Sequence, residues 1–352
     1  MTPAPIRVLL VDNSSLALTI LQKLLSNTSR IEVVGTATNG REALELIPGI
    51  RPDVICTDIH MPGMDGAEMT REIMKTNPLP ILLVTISGSN GTDNKTFKAL
   101  EYGAVDVFQK PRAFKDSISH EMSRDLIQKI EMVSGVYPIR RSQSSHAFRK
   151  PKLPGSFVTG KTIKMIGIGA STGGPNVLQV IFNSLPQNFP VPILCVQHIE
   201  KGFLPGLVDW LGSHTRLKVR IARSGELPEP GVVYFPEDDT HLKIDQHLRL
   251  NSSSELPVNG HRPSVDVLFN SLAEFYGPAA LAILLTGMGN DGAEGMRRIW
   301  DREGTTLIQN EESCVVYGMP QRALELNGVR YSLSPDEIVK FLLANFINSQ
   351  KK

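Results

Sequence analysis

The segment Met165-Ile-Gly-Ile-Gly-Ala-Ser171-Thr-Gly-Gly-Pro175 decides the architecture of the second half of the chain. An apolar strand-like run gives way to a glycine-rich turn, and Pro175 then opens a helix at a position where its missing N–H costs little. Two chemistries use a strand-to-helix turn of this kind. Backbone N–H groups at the helix start can cradle a phosphate, as in dinucleotide sites, but the spacing here is not G-x-G-x-x-G and the tightest point is a serine. Gly169-Ala-Ser171-Thr-Gly173 instead fits G-x-S-x-G, in which small neighbours leave a serine hydroxyl exposed on a strained turn.

Such a serine needs a base and an orienting acid. His198 directly follows the apolar run Ile193 to Gln197, and Asp291 lies just past the run Ala282 to Thr286 in Thr286-Gly-Met-Gly-Asn-Asp291-Gly. All three residues fall at carboxyl ends of predicted parallel strands, where an open α/β sheet gathers its sites. In a triad, imidazole takes the serine proton and the carboxylate steadies the imidazolium. Taken singly, each residue has a plainer role: Ser171 and Asp291 as helix caps, His198 as a surface histidine. His241 and His261 compete for the base.

Outward from that turn, the second half continues as α/β, with strands at Lys218 to Ile221 and Val232 to Phe235 and helices at Pro175 to Leu185 and Asp266 to Phe275. The first half alternates in the same way, with strands at Ile6 to Val11, Glu32 to Ala37, Val54 to Thr57, Ile81 to Val84 and Asp106 to Gln109. Between the halves, Arg140, Arg141, Arg149, Lys150 and Lys152 sit among Ser, Gln, Pro and Gly, the composition of a solvated tether. The expected division is a first domain over residues 1–125, a basic flexible linker over 126–160 and a second domain over 161–352.

Polar residues also end the strands of the first half: Asp12, Asp58, Thr85 and Lys110. Carboxylates converging at a sheet edge suit Mg²⁺, a hard cation that takes oxygen ligands. A carboxylate beside such an ion can accept a phosphoryl group, with the lysine neutralising charge on the transferred oxygens.

Composition narrows the field. A formal net charge of +1 supplies no general attraction for nucleic acid, and the second half shows no helix-turn-helix pattern. The longest apolar runs, such as Ala279 to Leu285, fall far short of the roughly 18 residues that cross a bilayer, so no membrane insertion is expected. The start, Met1-Thr-Pro-Ala-Pro, lacks the regions of an export signal, and three scattered cysteines, Cys56, Cys195 and Cys314, point to a reducing cytoplasm.

With these residues in view, the first half resembles a response-regulator receiver domain, which implies a flavodoxin-like, five-stranded doubly wound parallel sheet. The resemblance implies Asp58 as phosphoacceptor, Asp12, Asp58 and the His60 backbone carbonyl as Mg²⁺ ligands, Thr85 as switch hydroxyl and Lys110 as phosphate partner. Asn13 stands where receivers usually carry a second acid, and Val107 where they usually carry the switch aromatic, with Phe108 beside it.

The second half resembles the catalytic domain of the CheB family of chemotaxis protein-glutamate methylesterases, a Rossmann-like doubly wound α/β domain. The matching stretches are Gly167 to Pro175, Val196-Gln-His198, Pro263 to Phe269, Leu285 to Gly292 and Ser313 to Pro320. The resemblance implies Ser171, His198 and Asp291 as nucleophile, base and acid, with Thr172 and the Met288 backbone near the oxyanion. It also implies demethylation of chemoreceptor glutamates, deamidation of receptor glutamines, and control by phosphorylation from the chemotaxis histidine kinase. Mg²⁺ is expected for the receiver and no cofactor for ester hydrolysis. The alternatives are a receiver-gated hydrolase acting on another ester or amide, or a nucleotide-binding module that hydrolyses nothing.

Overall fold

Ile6-Arg-Val-Leu-Leu-Val11 forms the strand β1, whose last four residues are buried because a parallel strand at the centre of a sheet is covered on both faces. The computed structural model describes residues 4–86, 94–110, 120–136 and 162–346. The chain divides into two units, Met1–Ser145 and His146–Lys352.

In the first unit β1 is followed by α1 (Ser15–Leu25), β2 (Ile31–Ala37), α2 (Gly40–Ile50), β3 (Val54–Thr57), α3 (Gly66–Thr76), β4 (Ile81–Thr85), α4 (Asn94–Tyr102), β5 (Asp106–Gln109) and α5 (His120–Ser134). The sheet is parallel in the order β2-β1-β3-β4-β5, the flavodoxin-like arrangement. Helix starts are capped by their own side chains: Ser14 accepts from Ala17 N, Asn39 from Arg41 N and Glu42 N, and Asp65 from Glu68 N.

The last helix corrects the expected linker start at residue 126. Leu126, Ile127, Ile130 and Val133 are buried on one face of α5, so residues 126–134 belong to the first unit. Their spacing of one, three and three is helical, and burying that apolar face outweighs the polar residues between. The basic residues from Arg140 to Lys152 lie outside the described residues.

The second unit contains β6 (Met165–Ala170), α6 (Gly174–Asn183), β7 (Ile193–Gln197), α7 (Leu204–His214), β8 (Lys218–Ile221), β9 (Val232–Phe235), β10 (His241–Ile244), β11 (Leu250–Ser253), α8 (Val265–Phe275), β12 (Ala280–Leu284), α9 (Ala293–Asp301), β13 (Thr305–Gln309), α10 (Met319–Glu325), β14 (Tyr331–Leu333) and α11 (Pro335–Phe346). Seven strands pair in parallel in the order β14-β13-β12-β6-β7-β9-β8, and β10 and β11 form a separate antiparallel hairpin. The strand order reverses between β6 and β12, so the crevice at the switch point opens beside the segments that follow them. The expected strand Ala282 to Thr286 lies two residues earlier, at Ala280–Leu284, which frees Leu285 and Thr286 for the loop.

Glycine has a packing role in β6. A Cβ on Gly169 would lie 2.3 Å from Val265 Cγ1, so its absence is what admits the start of α8 against the sheet. That approach brings α8 to the carboxyl end of β6.

Candidate active site

Ser171 leaves β6 with its backbone already engaged. Its N–H donates to Thr286 O at 3.0 Å, and His198 N donates to Ala170 O at 2.9 Å, so the segments after β6, β7 and β12 are laced together. Gln197, 2% exposed, completes the lacing by donating from Nε2 to the Ser171 and His198 carbonyls, each at 2.8 Å. Gly287 packs against the serine so closely that a Cβ there would lie 2.6 Å from Ser171 Cβ. Thr172 is buried, and its carbonyl accepts from Thr286 Oγ1 at 3.0 Å. Met288 is exposed beside this turn. Gln309 holds the far side, accepting from Thr286 N at 2.9 Å and donating to Ser313 O at 2.7 Å.

His198 Nε2 lies 2.9 Å from Asp291 Oδ2. A carboxylate accepts, so Nε2 carries the hydrogen, and in the neutral imidazole Nδ1 carries the lone pair. Nδ1 is buried and has no hydrogen-bond partner among the described residues. The imidazole is thus oriented by one nitrogen and leaves the other available to a hydroxyl, the division of labour of a triad base with the two ring nitrogens exchanged relative to the serine-protease arrangement.

Asp291 is fully buried. Besides His198 it accepts from Ser264 Oγ at 2.8 Å, Val265 N at 2.7 Å and Asp266 N at 3.0 Å. Burial raises its pKa, but the His198 hydrogen bond and charge and the N–H groups of Asp266 and Val265 prevail and hold it at about 2. The donors are the first turn of α8, whose dipole also favours a negative charge there. The plainer role of Asp291 as a cap for its own following helix is therefore not the one found: Gly292 is the N-cap of α9, without a side-chain bond, and Asp291 instead accepts from the first turn of α8, whose N-cap is Ser264. Ser171 is likewise not the cap of α6, a position held by Gly173. Neighbouring Asp266 is pushed up to about 7 by burial, with the Asp291 charge adding to the effect against the Gly295 N–H.

The rival bases are both accounted for. His241 is fully buried on β10, accepting from Ser264 N at Nδ1 (3.1 Å) and bonding Leu256 O through Nε2 (3.2 Å), so neither nitrogen is available. His261 stacks on His198. Gln197, Ser264 and Gln309 were not singled out by residue type. Gln197 adjoins His198, and Ser264 has the N-cap position three residues before an N–H it accepts from, Val267.

At the edge of the first sheet, Lys110 Nζ lies 2.7 Å from Asp58 Oδ2 and 2.5 Å from Asp12 Oδ2. The other carboxylate oxygens accept backbone N–H groups, Asp58 Oδ1 from Ile59 at 2.7 Å and Asp12 Oδ1 from Ser14 at 3.0 Å. Thr85 is buried and its hydroxyl bonds to no partner among the described residues. Asn13 and the His60 side chain are exposed, and Val107 and Phe108 are buried. Two buried carboxylates sharing one ammonium keep an uncompensated negative charge, and an all-oxygen donor set with that charge fits Mg²⁺. No group of three His, Cys, Asp or Glu side chains gathers as a metal cluster among the described residues.

Comparison with known proteins matches both units. The family model of the response regulator receiver domain covers residues 8–120, and that of CheB methylesterase covers residues 166–342. A protein-glutamate methylesterase/protein-glutamine glutaminase of Methanospirillum hungatei is 42% identical over 96% of this chain and 97% of its own length. One from Syntrophus aciditrophicus is 40% identical over 96% and 97%. The crystal structure of the Thermotoga maritima CheB methylesterase catalytic domain superposes with a TM-score of 0.50 at 38% identity, covering 51% of this chain and 97% of that one. Fold and matches together define a receiver domain joined to an α/β hydrolytic domain. The chain belongs to the CheB methylesterase family.

Proposed function

We propose that this chain is a phosphorylation-controlled protein-glutamate methylesterase that also deamidates protein glutamine. The observation that carries the reading is the 2.9 Å contact of His198 Nε2 with Asp291, which leaves a buried, unpartnered Nδ1 on the ring. Nδ1 takes the Ser171 proton as Oγ attacks the γ-carboxyl carbon of a glutamate methyl ester. Thr172 and the Met288 backbone border the oxyanion. Collapse of the tetrahedral intermediate returns that proton to the leaving methoxide, releasing methanol and leaving an acyl-serine. Water then attacks the acyl group, gives its proton to Nδ1 and frees glutamate and Ser171. A glutamine substrate follows the same steps with ammonia leaving.

In the receiver, Asp58 is the phosphoacceptor, Lys110 pairs with the phosphate and the Thr85 hydroxyl bonds it. Asp12, Asp58 and the His60 backbone carbonyl would hold Mg²⁺, which when bound supplies charge neutralisation for phosphoryl transfer. Phosphate acts on the esterase only by binding its active and inactive states with different free energy. The partners that suit this reading are methylated chemoreceptors as substrate and a chemotaxis histidine kinase as phosphodonor. No helix among the described residues is long and apolar enough to cross a membrane, and the free cysteines support a cytoplasmic setting.

The test is methanol release from methyl-labelled receptor membranes by wild type, Ser171→Ala and Asp58→Asn, with and without a phosphodonor. Release is expected to vanish in Ser171→Ala and to lose its phosphodonor stimulation in Asp58→Asn. Release that survives Ser171→Ala overturns the nucleophile, and tight nucleotide binding without release favours a binding module.

A further inference from the structure

His261 is delivered to the base by a short turn. Val258 and His261 exchange both backbone hydrogen bonds, Val258 N to His261 O at 3.0 Å and His261 N to Val258 O at 2.9 Å. Asn259 and Gly260 between them have φ of 52° and 81°. Two central residues with positive φ make a turn of type I′, for which Asn-Gly is the favoured pair. Asn259 Nδ2 then donates to Asp266 Oδ2 at 3.2 Å. The turn is thereby pinned to the same first turn of α8 that holds Asp291, and it lays the His261 ring on His198 with centroids 4.1 Å apart and planes inclined by 7°.

We infer that His261 is a positioning residue for proton transfer, a ring that fixes the plane of His198 and lies against the positive charge that His198 acquires. This inference rests on the Ser-His-Asp reading above. A single hydrogen bond from Nε2 to Asp291 directs the imidazole but leaves it free to tilt about the axis of that bond. A parallel ring in van der Waals contact removes the tilt and excludes water from one face. The charge state is consistent with that role: burial and then the His198 charge lower the His261 pKa to about 4, against the opposing pull of Asp291. Of the other charged groups nearby, Arg262 is committed to Asp239, Nε to Oδ1 at 2.8 Å, and Asp266 meets the turn through Asn259. An aromatic face tolerates an adjacent cation, whereas a second imidazolium would oppose it.

The test compares the full chain as wild type, His261→Phe and His261→Leu. Both variants fill the site, but only Phe keeps a flat uncharged face. Two rates are measured: labelling of Ser171 by a fluorophosphonate, and methanol release resolved into kcat and KM. His261→Leu is expected to lower labelling and kcat about tenfold with KM unchanged, and His261→Phe to stay within about threefold of wild type. Wild-type rates in His261→Leu, or equal losses in the two variants, would overturn the inference while leaving the triad intact. A wild-type chain that is not labelled at Ser171 would instead overturn the triad reading, and this inference with it.

Discussion

The Ser264 hydroxyl donates to Asp291 Oδ1 at 2.8 Å from a residue 27 positions away, and the same oxygen accepts from Val267 N at 3.4 Å as the cap of α8. One side chain thus starts a helix and holds the acid that orients His198. Ser264→Ala removes a donor to a buried carboxylate together with a cap, and is expected to cost about 2 kcal/mol of stability in denaturant unfolding. Loss of a donor to the charged form moves the Asp291 pKa upward from about 2.

Gly287→Ala places a methyl group where Ser171 Cβ already sits, 2.6 Å away, and also 2.4 Å from Met319 Sδ. The methionine can swing aside but the serine turn cannot. The expected result is a loss of stability of about 1–3 kcal/mol and a fall in kcat well beyond what the remaining folded fraction explains, read from unfolding curves and single-turnover labelling of Ser171.

Lys110→Met leaves Asp12 and Asp58 facing each other in a buried pocket without a cation. Breaking such a pair is expected to destabilise the receiver by about 3 kcal/mol in the absence of divalent ion. Because the pocket gains negative charge, Mg²⁺ should restore more of the melting temperature in the variant than in wild type. A Mg²⁺-dependent thermal shift no larger than that of wild type would contradict the shared-lysine account.

Acid stability carries a histidine contribution of definite sign. His261 has a folded pKa of about 4 against an ordinary value of 6.5, so between those values the unfolded chain binds the proton and the folded chain does not. Stability therefore falls as pH is lowered from about 6.5 to 4. His261→Phe removes that contribution, and its melting temperature should decline less steeply than that of wild type across this window.

Much of this molecule was legible along the chain. The first sheet, the strands β6, β7, β8, β9 and β12 of the second, and the placement of Asp12, Asp58, Thr85, Lys110, Ser171, His198 and Asp291 at or past strand ends follow from apolar periodicity and from the glycine-rich turn at residues 169–174. A parallel sheet puts every strand's carboxyl end on one edge, so residues distant in sequence share that edge by topology alone. The helical stretch at residues 126–134 was also readable from spacing, yet its polar residues disguised it until burial of Leu126, Ile130 and Val133 showed the face that counts.

What the tertiary structure decided lies one level higher. The strands β13 and β14 and the β10–β11 hairpin owe their identity to the neighbours they pair with, and His241 became a saturated core residue on that hairpin. The exchange of ring nitrogens at His198, the Gln197 amide joining two backbone carbonyls, the seat of Asp291 on α8 and the stacked His261 all depend on angles and distances between separate segments. Local sequence sets which strand, turn or helix a residue occupies, through backbone sterics and solvation of its own side chain. The direction in which a side chain points across a crevice is set by the packing of the walls, and only the folded chain contains them.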